Sequence, residues 1–271
     1  STLLASSAAS DVYKRQEDAR LIDEVVVVGY GSVKKRDLTG AVTSVKSAEV
    51  LAAPTNNVME ALQGKIPGMD ITKTSGQVGG DVTILLRGSR SIYGSNEPLF
   101  IIDGIPGSYS QVSPSDIESV DVLKDASAGA IYGTRAAAGV ILITTKSGSD
   151  TNGKVRLTYS NEFTKKQNYN APEMLSGREY AEHNIGTDYG SDTNWWDELI
   201  NKGNFSQKHH LALEMGTEKA QVYTSFFYEK NQGIALQDER QDYGGRVNAS
   251  FKLFDDWLEV RPAVDYRPVS Y

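Results

Sequence analysis

The residues whose types and spacing suggest chemistry are two glycine loops, one serine, three histidines and an acidic run. Val25–Gly31 leads four valines into Gly-Tyr-Gly, the first two glycines of a dinucleotide fingerprint, where a helix N-terminus holds a pyrophosphate. The third glycine position is Lys34, and Lys-Lys-Arg-Asp is a poor start for a helix that packs on a sheet. Gly148–Lys154 has the spacing of a phosphate loop. Val155 stands where the Mg²⁺-binding Ser or Thr belongs, and the residues beyond alternate like a strand, so the cradle lacks its helix dipole. Ser127 lacks the glycine two residues before it that a nucleophile elbow uses. The histidines are His183, His209 and His210; the adjacent two point to opposite faces of a strand and cannot share a metal. Asp116, Glu118, Asp121 and Asp125 serve capping and solvated turns as readily as ion binding. These residues predict no catalytic group, no metal site and no cofactor, and Gly148–Lys154 reads as an interdomain link.

The elements around these residues fall into two architectures. From 48 to 150 the pattern is that of a small α/β unit with glycine at most joints. Val58, Ala61 and Leu62 have helical spacing over Asn57–Leu62, with Gly64 placed to end the helix. Met69–Thr72, Val82–Arg87 and Pro98–Asp103 read as strands, the last ended by a Gly104–Gly107 turn. Ser113 and Pro114 open a one-turn helix, Val120–Leu123 is extended, Asp125 caps a small-residue helix, and Gly139–Thr145 is a buried strand.

After Gly153 the period becomes two. Val155, Leu157, Tyr159 and Phe163 alternate with polar residues, as do Leu211, Leu213 and Met215 with His210, Ala212 and Glu214. The same holds for Val222–Tyr228, Arg246–Leu253 and Leu258–Arg267. Strands of about ten residues suit a tilted transmembrane β-strand. Their connections run long (165–205), short (Gly216–Lys219), long (Gln232–Gln241) and short (Asp255–Asp256), the asymmetry of outer-membrane barrels. A soluble sandwich shows the same alternation of faces, with its charged faces in solvent instead of a lumen.

Composition narrows the classes further. The chain of 271 residues has a net charge of −7 without segregation: 14 basic and 17 acidic residues lie in 1–150, 14 and 18 in 151–271. Neither half is basic enough to track phosphates, which argues against a nucleic-acid partner. Cysteine is absent, excluding disulfides and thiol chemistry. The longest apolar runs, such as Val25–Val28, fall far short of the roughly 18–20 residues of a spanning helix, which leaves β-strands as the route across a membrane.

Four strings carry a specific resemblance: DEVVVVGYGSVKKRDLTGAVTSV from Asp23, NVMEALQGKIPGMDITKTSGQVGGDVTILLRG from Asn57, PLFIIDGIPG from Pro98 and DIESVDVLKDASAGAIYGTRAAAGVILITTKSG from Asp116. In order and spacing they resemble the plug region of SusC/RagA-type TonB-dependent outer-membrane transporters, and the strands after Val155 resemble the start of that family's barrel. The resemblance implies an α+β plug domain followed by antiparallel β-strands of a truncated transmembrane β-barrel, about five of about 22. It divides the chain into a non-native or disordered leader (1–16, ending in an adapter-like string), a TonB-contacting segment and linker (17–47), the plug (48–150) and the strands (151–271). Both ends read as those of a fragment.

The resemblance also implies roles. Asp23, Glu24, Val25, Val26, Val27, Val28, Gly29 and Tyr30 match the TonB-contacting segment; an extended valine stretch can add a strand to a sheet edge, the lesser alternative being that Val25–Val28 is a core strand of the plug. Arg87 with Gly88, and Arg135, match plug arginines expected to pair with acids on the barrel wall. Gly133 and Gly139 match turns needing close backbone approach, and Asp103–Gly104 a structural turn. Trp195 and Trp196 offer stacking platforms for sugars or pack within their loop. The implied function is import of oligosaccharides or oligopeptides with a SusD-like lipoprotein as lid, driven through TonB with ExbB/ExbD, in an outer membrane whose lipid the barrel faces. The competing readings are a non-transporting surface binding protein and, from the two glycine loops, a nucleotide-binding enzyme.

Overall fold

The computed structural model describes residues 25–28 and 31–34 by their backbone, and residues 42–268 apart from 54, 56, 87, 89–95, 125–131, 170–172, 174, 188 and 191–192. The proposed helix cap at Asp125 and the serine at 127 lie outside the described residues. Strands β1 (Val25–Val28) and β2 (Gly31–Lys34) form an antiparallel hairpin with Val28 opposite Gly31. A strand thus follows the Gly-Tyr-Gly where a dinucleotide fold requires a helix.

The α+β domain is built on a five-stranded sheet in the order β3 (Val42–Lys46), β8 (Ile117–Leu123), β9 (Val140–Thr145), β6 (Leu99–Ile102), β7 (Ile105–Pro106). Only β6 and β9 run parallel. Strand β9 is apolar at every position from Val140 to Ile143 because both its faces are covered. Ile141 and Ile143 join Val45, Val120, Met59 and Leu62 on one side, while Val140 and Leu142 join Ile101 and Leu123 on the other. Each such side chain contributes roughly 1.5–3 kcal/mol by leaving water. The hairpin β4 (Met69–Lys73) and β5 (Val82–Leu86) closes the first core through Ile71 and Ile84.

Two sequence expectations are corrected here. Val42–Lys46, assigned to the linker, is the edge strand of this sheet: Val45 is buried against β8, so the domain begins before residue 48. The chain also does not simply turn at Gly104–Gly107. Asp103 (φ +47°) and Gly104 (φ +87°) form a two-residue hairpin, the left-handed pair that Asp-Gly supplies, and β7 returns along β6. The helix over Val58–Ala61 has the predicted start, with the Met59 N–H donating to the Asn57 side chain at 2.9 Å, and Gly64 is left-handed beyond it.

The second half is one antiparallel sheet: β10 (Val155–Thr164), β11 (Ser206–Gly216), β12 (Ala220–Gln232), β13 (Glu239–Leu253), then β14 (Leu258–Val260) and β15 (Ala263–Tyr266) end to end along one edge of β13. The last two keep one register, Phe251 opposite Val260 and Asn248 opposite Ala263. The break between them is Pro262, whose carbonyl accepts from the Ala249 N–H at 3.0 Å but which has no N–H to return. The connection expected over Gln232–Gln241 is shorter, because pairing continues to Gln232 opposite Glu239. The long segment 165–205 and the loop 233–238 lie at one end, tied by the Ile200–Ala235 bridge, and the tight turns lie at the other.

Candidate functional site

Register decides which side chains of the long sheet share a face. Leu157, Leu213 and Thr224 form one outward row and Tyr159, Leu211 and Phe226 the next. The apolar residues of these rows are exposed, from 37% at Leu213 to 64% at Leu157. The intervening residues point at the α+β domain: His210, Tyr223, Phe227, Arg246 and Asn248 are all at most 5% exposed. Among the described residues no helix is long and apolar enough to cross a membrane, which leaves the strands untouched by that criterion.

The candidate site is the polar seam between the α+β domain and this inward face. At its centre Asp103 Oδ1 accepts from the Thr145 N–H at 2.8 Å, and Oδ2 accepts from Thr145 Oγ1 at 2.6 Å and Arg246 Nη1 at 3.0 Å. Arg246 also reaches Thr145 Oγ1 with Nη1 and Asp265 with Nε at 3.2 Å. Asn248 donates to Thr145 Oγ1 and to the Lys146 carbonyl. Asp103 can do this because its left-handed turn lifts the carboxylate over the end of β9.

The second tie is Asp116, at the foot of β8. Its Oδ1 accepts from His210 Nε2 at 2.8 Å and from the Tyr223 hydroxyl at 2.9 Å. Burial alone would raise this carboxyl's pKa. The hydrogen bond and charge of His210 outweigh it and hold the group below the usual 3.8. A cleft of about 640 Å³, with Glu118, Lys146, Arg156 and Lys208 among its lining residues, runs beside it.

At the loop end the contacts come from backbone. The Val78 N–H donates to the Asp238 carboxylate at 3.0 Å, and the Gly79 carbonyl accepts from Arg240 Nη1 at 3.3 Å. A Cβ on Gly79 would stand 2.5 Å from Arg240 Nη1, so only glycine lets the arginine close over the loop.

Several sequence-derived residues fall elsewhere. Asp23, Glu24, Gly29, Tyr30 and Arg87 lie outside the described residues, and of Val25, Val26, Val27 and Val28 the structure describes backbone pairing with β2 alone. Arg135 is exposed on the 3₁₀ turn Gly133–Ala136, and among the described residues no wall carboxylate pairs with it. The described ion pairs across the seam run with the opposite polarity, Asp103 and Asp116 on the α+β domain and Arg246 and His210 on the wall. Gly88, Gly133 and Gly139 are left-handed. Gly139 also meets Leu86 Cδ1 at 2.7 Å from an added Cβ, whereas Gly133 has open space. Trp195 is 65% exposed and Trp196 half-buried on the helix Trp195–Leu199. His209 points outward among Tyr159, Phe163 and Tyr228, opposite to His210. The Gly148–Lys154 loop docks on the β11–β12 turn, the Thr151 and Gly153 N–H groups donating to the Gly216 carbonyl, as a link does.

Sequence reasoning did not single out Asp116, His210, Tyr223, Arg246 or Asn248 as a seam. The available signal was their position opposite the apolar residues of period-two strands. Among the described residues no three His, Cys, Asp or Glu side chains group to hold a metal.

Comparison with known proteins places this geometry. The family model of the TonB-dependent receptor plug domain matches residues 34–140. The chain is 35% identical over 262 residues to the TonB-dependent receptor SusC of Bacteroides thetaiotaomicron, covering 90% of this chain and 26% of that protein. It is 36% identical over 234 residues to the TonB-dependent receptor P3 of Formosa agariphila, covering 84% and 23%. Among solved structures it superposes on the RagAB peptide importer in the open-open state with a TM-score of 0.75 and 26% identity, over 89% of this chain and 32% of that one. The chain thus spans about a quarter of the length of these curated relatives.

Proposed function

We propose that the chain, whose residues 34–140 match the plug-domain model, carries the plug domain and first barrel strands of a SusC/RagA-type TonB-dependent receptor and serves in the TonB-driven import of oligosaccharides or oligopeptides across the outer membrane of a Gram-negative bacterium. The observation that carries this reading is the two-faced sheet: apolar and exposed outward, polar and clasped to the plug inward. Lipid suits the first face. On the second, a plug held by a few hydrogen-bonded ion pairs, instead of an apolar core, can be released and re-seated without exposing a large hydrophobic surface to water.

Force would enter at Asp23–Tyr30. Among the described residues strand β1 pairs with β2 alone, and its other edge would take a strand of TonB, itself energised through ExbB/ExbD. The plug would face the periplasm, and a SusD-like lipoprotein would close the outer mouth, as the pairing in the RagAB importer suggests by analogy.

The test is co-purification of the receptor from outer membranes with the periplasmic domain of TonB, together with cellular uptake of labelled oligosaccharides and oligopeptides. Val26→Pro removes a main-chain donor from β1. Loss of both TonB binding and uptake in this variant supports the reading. Uptake that persists in Val26→Pro, or heat-insensitive gel mobility that denies a closed barrel, overturns it in favour of a passive surface module.

A further inference from the structure

The connection between β12 and β13 reaches inward to the plug. Residues 233–238 fold on themselves: the Gly233 N–H donates to the Asp238 carbonyl at 2.6 Å, and Gln237 takes a left-handed φ of +63°. With that turn the Asp238 carboxylate meets the plug tip, where both oxygens accept from the Val78 N–H, at 3.0 and 3.3 Å. Gly233 leaves the room for it, since a Cβ there would stand 1.8 Å from Asp238 Oδ2. Inside the plug loop the Thr74 N–H goes to the Asp81 carbonyl and the Gly80 N–H to the Gln77 carbonyl. Among the described residues, the acceptor that the Val78 N–H finds is the Asp238 carboxylate.

The same connection carries the neighbouring one. The Asn201 N–H donates to the Ile234 carbonyl at 2.7 Å and the Leu236 N–H to the Leu199 carbonyl at 2.9 Å, around the Ile200–Ala235 bridge. The helix Trp195–Leu199 ends in this ladder. Among the described residues no hydrogen bond or ion pair joins that helix to the plug directly, so its link to the plug runs through 233–238. The contact also differs in burial from the Asp116–His210 pair, whose side chains are almost fully enclosed. A buried half-pair left behind is costly. Asp238 is only half-buried, and water can replace its donor when the plug tip leaves. Such a contact can be broken and remade each time the plug moves.

We propose that Asp238 is a latch between the plug and the loop end of the receptor: seated on Val78, it holds residues 233–238 and the helix Trp195–Leu199 down on the plug, and release of the plug frees both. The inference rests on the transport reading and adds how the position of the plug reaches the loops. Because the donor is a main-chain N–H, the latch responds to where the plug backbone stands and not to the side chain at 78. The coupling is reciprocal: a ligand that binds the loops only in their freed position favours release of the plug by the same factor.

The experiment uses the receptor purified from outer membranes. This chain has no cysteine, so Leu199→Cys gives it one thiol for a nitroxide, with the receptor lacking that substitution as the blank. Urea releases the plug, protease cleavage follows the plug, and the nitroxide spectrum follows the helix. With Asp238 present, the mobile fraction of the nitroxide should rise at the same urea midpoint as plug cleavage. In Asp238→Ala the mobile-to-immobile ratio should be about tenfold higher before any urea is added. The plug itself, still held by His210 and Arg246, should be cleaved near the original midpoint. Asp238→Asn keeps an oxygen that accepts from the Val78 N–H and should restore the low ratio. Gly233→Ala pushes the carboxylate aside and should free the helix as Asp238→Ala does. A nitroxide that stays immobile after the plug is cleaved, or that Asp238→Ala leaves immobile, overturns the proposal. So does a lowered plug midpoint that the nitroxide simply follows, the result of a contact that only stabilises the plug. Should Asp238→Ala lose heat-modifiable mobility, Gly233→Ala decides by the same readout. Val26-dependent uptake, measured alongside, separates this from the transport reading: such uptake with an unresponsive nitroxide refutes the latch alone, whereas a responsive nitroxide without it supports the latch and refutes transport.

Discussion

His210 Nε2, on the inward face of β11, lies 2.8 Å from Oδ1 of Asp116 on the plug, and the two side chains are 5% and 3% exposed. The carboxylate has little else: the Tyr223 hydroxyl shares the same oxygen. His210→Ala strands a buried charge and should destabilise the plug–wall assembly by about 3–5 kcal/mol. In a cycle with Asp116→Asn the coupling should reach about 1–3 kcal/mol. Denaturant unfolding of the four proteins measures both, and additive effects would refute the tie.

The same pair sets a pH dependence. Asp116 has a folded pKa below its ordinary 3.8, so the unfolded chain binds that proton more tightly. Its stabilising contribution is complete above the ordinary carboxylate range and disappears as pH falls through the lowered folded pKa. Protease resistance of the plug in wild type and Asp116→Asn should differ near neutrality and converge below about pH 4. A gap that widens on acidification contradicts the assignment.

Arg246 bridges Asp103, Thr145 and Asp265 with two nitrogens of one planar fork. Lysine keeps the charge and cannot span these acceptors together. Arg246→Lys should therefore cost about 1.5–3 kcal/mol and Arg246→Ala about 3–5 kcal/mol, read as earlier thermal release of the plug to protease. Equal stability of Arg246→Lys and wild type would mean that charge alone matters.

Gly139 and Gly133 separate two reasons for glycine. Both have positive φ, +99° and +67°, yet only at Gly139 would a Cβ meet a neighbour closely, Leu86 Cδ1 at 2.7 Å. Gly133→Ala should cost about 1 kcal/mol, from backbone conformation. Gly139→Ala adds overpacking and should cost about 2–4 kcal/mol. Thermal unfolding of the two variants ranks them, and the reverse order would refute the close approach.

Much of the architecture was legible because its signals are local. Alternation along Leu211–Met215 and Arg246–Leu253 assigns each side chain to a face, since a strand's period is two wherever the strand lies. Asn57 at a helix start and Asp103–Gly104 at a turn declare themselves by backbone chemistry. Less legible were features that depend on what packs against a segment. Val42–Lys46 looks like linker until β8 pairs with it, and the β12–β13 loop looks long until pairing runs on to Gln232. Pro262 interrupts a strand by removing one N–H while its register continues, a distinction that no single-residue signal makes.

By itself the sequence determined that an α+β unit precedes a sheet with one apolar and one polar face, because periodicity, turn residues and apolar runs are written residue by residue. Only the tertiary structure decided what the polar face meets. His210 stands 94 residues from Asp116, and Arg246 stands 143 from Asp103. An aspartate in an acidic run looks solvated in a string of letters. It becomes the buried half of an ion pair only when another strand brings a cation within 3 Å, and its desolvation and pKa follow from that approach.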